Sequence, residues 1–190
     1  MIKTDIELAK EALAGHSIAL AKDGAVITDD KRGVAPMLGF IAEGRKLAGY
    51  SVADKIVGKA AASLFVLAGI KEVYAEVASE AAEEYLEAHS VRFSCGKLTP
   101  KIINRAGTGI CPMEAAVSDI SEPEECYRAI LARLARLAEL KVQKALIYTK
   151  KTSRMTWFFS FIIVISKQII RCKANADKDR HSFNALLCFI

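Results

Sequence analysis

The pattern of apolar and polar residues predicts that the chain begins with an amphipathic helix followed by a β-hairpin. Thr4 and Glu7 have the spacing of a capping box and precede an apolar stripe, so we expect a helix over residues 4–14. After this helix the hydrophobic period changes to two, which indicates strands. Asp23-Gly24 favours a two-residue hairpin turn, which predicts a strand on either side of it within residues 17–28.

The middle of the chain predicts helices that alternate with strands. A short helix beginning at Pro36 is followed by a longer helix that Ser51 caps and that runs to Gly69. The later segments are a strand at residues 71–75, a helix at residues 79–88 and a strand at residues 91–94. Their spacing predicts a right-handed βαβ unit with parallel strands.

The remaining elements complete a prediction of the α/β class. Residues 98–103 are a candidate further strand, and residues 112–117 and 123–140 read as helices. The order of elements predicts a mixed sheet with an N-terminal β-hairpin and parallel βαβ units. Helices on both faces would make this fold a three-layer α/β/α sandwich.

The distribution of charge divides the chain near residue 140. The whole sequence has a net charge of +5, but residues 139–190 hold ten Lys or Arg residues and three acidic ones, so the body is mildly acidic. All 11 Gly and all 4 Pro residues lie before residue 139. We therefore predict one domain over residues 1–140 and a basic, apolar C-terminal extension over residues 141–190 that is not part of the fold.

Charge and cysteine usage limit the classes of partner. The acidic body lacks the basic surface that nucleic-acid binding needs, so we expect no nucleic-acid partner. The five cysteines form no CxxC pair, and the first residues show no signal-peptide pattern. These features favour free thiols and a cytoplasmic protein.

An apolar run in the extension, Trp157–Ile165, is open to several interpretations. It is shorter than the roughly 20 apolar residues that span a membrane, so we expect no spanning segment. Basic residues flank it, so it could lie on a membrane surface, or it could be an aggregation-prone strand. We favour an extension without an evolved fold.

Residues 104–114 are the stretch best suited to chemistry, because a polar loop with two glycines runs directly into a helix. Pro112 suits the first turn of that helix, which places Cys111 at or next to the N-cap. Gly107 and Gly109 allow main-chain N–H groups to turn inward, and the free amides of a helix start attract anions. The loop therefore predicts an anion-binding cradle.

Six segments carry a resemblance to a known family: Ser51–Lys55, Val57–Ala62, Lys71–Ala75, Ile103–Arg105, Gly107–Gly109 and Cys111–Glu114. Together they resemble an uncharacterised prokaryotic family of domains of unknown function with a cytidine-deaminase-like fold, over roughly residues 4–138. The resemblance implies a deaminase-like α/β/α sandwich, in agreement with the order of elements. It brings no known reaction.

The deaminase-like fold allows a test of metal chemistry. Zinc deaminases need a His or Cys ligand followed by a Glu at one central helix start, and a Pro-Cys-x-x-Cys at the next. The matching helix starts, residues 57–61 and 78–82, contain no zinc ligand of this kind. We therefore expect a zinc-independent protein without a cofactor. The Lys59 cation would lie near the position that zinc occupies in zinc deaminases.

Three charged residues, Asp54, Lys55 and Lys59, are candidates for a ligand-binding cluster on the first turns of the predicted central helix. We expect them to face the same sheet edge as residues 104–114, because open α/β sheets bind ligands at such helix starts. The alternative is that Asp54 and Lys55 are ordinary surface charges.

The loop supplies the other candidate ligand-binding residues. Arg105 offers a planar two-pronged donor for an anion. Alternatively, Asn104 and Arg105 bond the loop to itself, and Glu114 is favoured only by the helix dipole. The candidates are Asn104, Arg105, Thr108, Gly109 and Glu114.

Three functions are compatible with these residues. The first is binding of a small anionic ligand, nucleotide-like on fold analogy alone. The second is an enzyme with Cys111 as nucleophile, assisted by Asp54 or Glu114, because a helix N-terminus stabilises a thiolate. A buried loop thiol is the alternative for Cys111. The third is an interaction module in which the helix over residues 123–140 forms a homodimer face.

Overall fold

A five-stranded mixed sheet forms the centre of the protein, according to the computed structural model, which describes residues 3–151. The strands are β1 (Ile18–Lys22), β2 (Ala25–Asp29), β3 (Ser51–Val57), β4 (Glu72–Ser79) and β5 (Arg92–Thr99). Their order in the sheet is β2-β1-β3-β4-β5. β1 is antiparallel to β2 and β3, whereas β3, β4 and β5 are parallel. The predicted α/β class and mixed sheet are confirmed.

Six α-helices accompany the sheet in the described residues: α1 (Asp5–Ala12), α2 (Ala35–Ala42), α3 (Lys59–Leu67), α4 (Glu80–Ala88), α5 (Pro112–Val117) and α6 (Pro123–Lys151). The predicted capping box is present at α1, where the Thr4 main-chain N–H donates to the Glu7 carboxylate at 2.7 Å. The predicted hairpin is also present. Asp23 and Gly24 have φ values of 51° and 79°, which the hairpin turn requires.

The predicted helix over residues 51–69 is wrong in its first half. Residues 51–57 form β3, and α3 begins only at Lys59 with Gly58 as its N-cap. The first four residues of β3 are all buried, so the strand has no polar face to produce an alternating pattern. A strand that is buried on both faces and a buried helix have similar apolar runs. Asp54 and Lys55 therefore lie on a central strand.

Three other boundaries differ from the sequence pattern. β4 and β5 extend to Ser79 and Thr99, several residues beyond their predicted ends. The candidate strand at residues 98–103 is not a separate element, because its first two residues close β5 and Ile103 makes only an isolated bridge with Ile110. α6 continues past its predicted end at residue 140. No Gly or Pro interrupts it there.

Helix α1 packs against the face of the sheet formed by β1 and β3. Alternate side chains of a strand point to opposite faces, and Leu20 and Val52, which lie on the other face, are also fully buried. Both faces of these two strands are therefore covered. The cluster beneath α1 comprises Ala9, Leu13, Ala19, Ala21 and Ala53.

The chain divides into two compact units within α6, at residues 130 and 131. The first unit contains the sheet, helices α1 to α5 and the start of α6, and the described part of the second is the remainder of α6. The apolar run Trp157–Ile165 lies outside the described residues, and the domain boundary near residue 140 stays a prediction. Among the helices of residues 3–151, none is long and apolar enough to cross a membrane.

Candidate functional site

A cleft of about 390 Å³ lies where the carboxyl ends of the three parallel strands meet. Lys59 follows β3, Ser79 ends β4, and Pro100 follows β5, and all three residues line the cleft. This position is the usual ligand site of open α/β sheets. The complete lining is Lys59, Ser79, Ala81, Glu84, Tyr85, Ala88, Pro100, Lys101, Ile110, Glu114 and Ser118.

The carboxylate of Glu114, from α5, fills the start of α3. Its two oxygens accept hydrogen bonds from the main-chain N–H groups of Lys59, at 3.0 Å, and Ala60, at 2.9 Å. The first N–H groups of a helix have no partner within the helix and carry partial positive charge. Glu114 is only 8% exposed, so this carboxylate is a buried cap supplied from a distant part of the sequence.

Gly58 provides the room for this carboxylate. A Cβ atom at residue 58 would lie 2.3 Å from Oε1 of Glu114, which is far inside van der Waals contact. Gly58 has an extended backbone, with φ −106° and ψ 177°, that any residue can adopt. A glycine is therefore needed at residue 58 because the Glu114 carboxylate approaches so closely. The backbone conformation of residue 58 does not itself require a glycine.

The side chain of Lys59 is held by the opposite end of α5. Its Nζ donates to the main-chain oxygen of Ser118, the C-cap residue of α5, at 2.7 Å. The same Nζ lies 5.7 Å from the centroid of the Tyr85 ring, within the range of a cation–π contact. Burial raises the pKa of the Tyr85 phenol, whose hydroxyl donates to Ser121 O at 2.6 Å. The ammonium group is thus fixed at the wall of the cleft.

The loop that contains Gly107 and Gly109, named the glycine loop from here on, is held together by hydrogen bonds between its own residues. The Asn104 main-chain N–H donates to Gly109 O at 2.8 Å, and the Thr108 N–H donates to Asn104 Oδ1 at 3.1 Å. Nδ2 of Asn104 donates to Thr108 Oγ1 at 3.1 Å. Asn104, Arg105, Thr108 and Gly109 do not line the cleft, and Arg105 is exposed. The structure therefore brings Lys59 and Glu114 together and leaves the other loop candidates apart from them.

Cys111 occupies the predicted N-cap position of α5 and is half-buried. Its main-chain N–H donates to Ile102 O at 2.9 Å, so this amide is already engaged within the chain. The thiol does not line the cleft. The nucleophile assignment stays a prediction.

The sequence pattern predicted that Asp54, Lys55 and Lys59 share the first turns of one helix. This prediction is wrong, because Asp54 and Lys55 lie on β3. Asp54 is 9% exposed, and its Oδ1 accepts the Ile56 main-chain N–H at 3.0 Å. Burial raises the pKa of Asp54 to about 7, although the N–H groups of Ile56 and Lys55 oppose this effect. The nearby charge of Glu76 is a smaller contribution to this rise. Asp54 is therefore no ordinary surface charge, and it does not line the cleft.

Metal ligands are not clustered in the part of the chain that the structure describes. Within residues 3–151, no group of three or more His, Cys, Asp or Glu side chains is placed to hold a metal ion. The helix starts at Lys59 and Glu80 coincide with the two positions at which zinc ligands were sought in the sequence.

Of the residues that line the cleft, the sequence identified only Lys59 and Glu114 as candidates, and it missed the polar residues Ser79, Glu84, Tyr85, Lys101 and Ser118. The sequence placed Ser79 only at the start of a predicted helix, and the structure shows it as the N-cap of α4, since its Oγ accepts the Ala82 N–H at 3.2 Å. Lys101 follows the carboxyl end of β5. The rule that ligands bind beyond strand ends would have identified Lys101, if the end of β5 had been predicted correctly.

Comparison with known proteins gives a family and a fold. The sequence model of a family described as TM1506, domain of unknown function (DUF1893), matches residues 7–134. The crystal structure of a DUF1893 family protein, TM1506 from Thermotoga maritima, is similar to this structure with a TM-score of 0.61 and 23% sequence identity. The similarity covers 70% of this chain and 92% of that one. No curated protein is significantly similar in sequence.

Proposed function

The chain belongs to the DUF1893 family of domains of unknown function, and on this premise we propose that it binds a small anionic ligand in the cleft at the carboxyl ends of β3, β4 and β5. The ammonium groups of Lys59 and Lys101 recognise the negative charge of the ligand. The protein is a zinc-independent domain with a deaminase-like three-layer sandwich. A nucleotide-like ligand follows from fold analogy alone.

The observation that carries this proposal is the position of the cleft. Parallel strands end at one edge of a sheet, and the helices that follow them begin there, so main-chain and side-chain polar groups converge at that edge. In this protein Lys59, Ser79 and Lys101 follow or end three adjacent strands and line one cleft. A volume of about 390 Å³ is within the range of small-molecule sites.

The donors of the cleft suit an anion. The hydrogen bond from Lys59 Nζ to Ser118 O uses one of the three donors of an ammonium group, which leaves two for a ligand. Lys101 is exposed and lines the same cleft. The lining also contains the carboxylates of Glu84 and Glu114, and the two oxygens of Glu114 are bound to the amides of α3.

The proposal is tested by thermal denaturation of the full chain with nucleotides, nucleosides, sugar phosphates and inorganic phosphate. A ligand at 100 times its Kd stabilises the protein by about 2.7 kcal/mol, or by about 5–10 °C in Tm for a chain of this size. We expect a phosphorylated compound to produce this rise. Lys101→Gln should abolish most of it, because Lys101 lines the cleft.

Arg105→Gln is the matched control, since it also removes one exposed cation but lies on the glycine loop outside the cleft. The rise in Tm should persist in Arg105→Gln. A rise that is lost in Arg105→Gln and kept in Lys101→Gln would place the ligand on the loop and contradict the cleft. A protein that no anion stabilises would contradict ligand binding altogether.

The two alternative functions stay predictions with tests of their own. A thiol-dependent enzyme requires that Cys111 be alkylated faster at mildly acidic pH than an ordinary thiol. A homodimer formed through the helix that begins at Pro123 requires a dimeric mass in sedimentation. The cytoplasmic location is likewise a prediction from cysteine usage.

A further inference from the structure

Helices α3 and α5 are tied to each other by two reciprocal contacts that involve the first residue of α3. The Glu114 carboxylate, in the first turn of α5, accepts the N–H groups of Lys59 and Ala60, where the dipole of α3 is positive. The Lys59 ammonium donates to the oxygen of Ser118, where the dipole of α5 is negative. Each helix thus supplies the charge that the end of the other attracts.

The negative charge of the Glu114 carboxylate is stabilised by main-chain amides and not by a cation. Among the described residues, no ion pair includes Glu114. Both of its oxygens are used by main-chain donors, and it lies directly against Gly58. The start of α3 would otherwise be available to an anion in this cleft, because its amides point to one place.

We propose that Glu114 determines the specificity of the cleft by acting as a built-in anion: its carboxylate fills the start of α3, so a ligand's negative charge must be bound by the ammonium groups of Lys59 and Lys101 and not by main-chain amides. This consequence for the ligand depends on the proposed function. The occupation of the helix start by Glu114 can be tested without any ligand.

The test is the stability of full-length Glu114→Ala in sodium formate and sodium acetate, compared with sodium chloride at equal ionic strength so that screening is the same. Small carboxylates should enter the vacated position and raise the Tm of Glu114→Ala by several degrees relative to chloride. The wild type should show only the smaller general effect of these salts on stability, because its position is filled. If Glu114→Ala does not fold in chloride, recovery of a cooperative transition in formate is the same result.

Glu84→Ala is the matched control, because Glu84 also lines the cleft but is exposed. Its change in Tm between formate and chloride should equal that of the wild type. The double variant Glu114→Ala with Lys101→Gln should keep the effect of formate, since the amides of α3 are unchanged. Loss of the effect in the double variant, or a rise in formate for Glu114→Ala that is no larger than that of the wild type, would overturn the inference.

The outcome separates this inference from the proposed function. Formate rescue without any phosphorylated ligand for the wild type would support the built-in anion and contradict ligand binding in the cleft. If a phosphorylated ligand stabilises the wild type and formate does not stabilise Glu114→Ala, the result would support ligand binding in the cleft and contradict the built-in anion.

Discussion

At the scale of single residues, Gly58 and Glu114 form one structural unit although 56 positions separate them in the sequence. The carboxylate can reach the amides of Lys59 and Ala60 only because residue 58 has no Cβ. Hydrogen bonds to a charged group contribute more than neutral ones, at about 1.5–3 kcal/mol each. The pair therefore has a measurable coupling energy.

We expect Gly58→Ala to lower the free energy of unfolding by about 3 kcal/mol, because the methyl group displaces the carboxylate from the start of α3. In the Glu114→Ala background the same substitution should cost less than about 1 kcal/mol, since the three atoms nearest to the added methyl group all belong to the Glu114 carboxylate. Urea denaturation of the four proteins measures the cycle. Equal costs in both backgrounds would show that residue 58 and Glu114 are independent.

Asp54 gives a prediction for pH dependence. Its pKa is about 7 in the folded protein and near 3.8 when unfolded, because burial penalises the charged form. Between these values the folded protein binds a proton that the unfolded chain has released, so the free energy of unfolding falls as pH rises. The difference between the two pKa values corresponds to a loss of roughly 4 kcal/mol in the free energy of unfolding once the pH is above both.

Asp54→Asn keeps an oxygen for the Ile56 N–H but cannot ionise, so it should be more stable than the wild type at about pH 8 and lose this pH dependence. Denaturation at a series of pH values measures the effect. Asp119→Asn, at an exposed acid, is the control and should retain the wild-type slope. An unchanged slope in Asp54→Asn would contradict a proton held at this buried position.

At the scale of elements, the junctions between strand and helix were predicted unequally well. Ser79 is recognisable as an N-cap from the sequence, and α4 begins directly after it. Gly58 gives no such signal, because α3 is capped by Glu114 from α5 and not by a neighbouring side chain. A cap that comes from a distant segment is not visible in a local pattern.

Replacing Ser79 with Ala should lower the free energy of unfolding by about 1 kcal/mol, because the Ala82 N–H loses its acceptor. Chemical denaturation measures this loss. Ser118→Ala is the control, since Ser118 also lines the cleft but contributes its main-chain oxygen, which the substitution retains. A Ser79→Ala variant as stable as Ser118→Ala would show that the cap is dispensable.

At the scale of the whole molecule, three segments far apart in the sequence meet at one edge of the sheet. Lys59, Lys101 and Glu114 come from the regions after β3, after β5 and within α5. The parallel direction of β3 and β5 places Lys59 and Lys101 at the carboxyl edge, and the contacts of α5 with α3 bring Glu114 there. The candidate site is therefore a property of strand direction and helix packing, and the glycine loop contributes only Ile110 to its lining.

The sequence by itself determined the features that depend on neighbouring residues. The capping box at Thr4, the hairpin turn at Asp23-Gly24 and the helix start at Pro112 were each predicted where the structure has them, because they follow from local hydrogen bonds and dihedral preferences. Family membership and the α/β class also agree with the prediction from local segments.

Only the tertiary structure decided which residues share a site. Burial on both faces removed the alternating pattern of β3, so Asp54 and Lys55 were assigned to a helix when they belong to the sheet. Glu114 and Lys59 were both candidates, but their contact depends on how α5 packs beside α3 and on the absence of a side chain at Gly58. Local patterns carry no information on such long-range packing, because its energy arises between segments that the chain brings together only on folding.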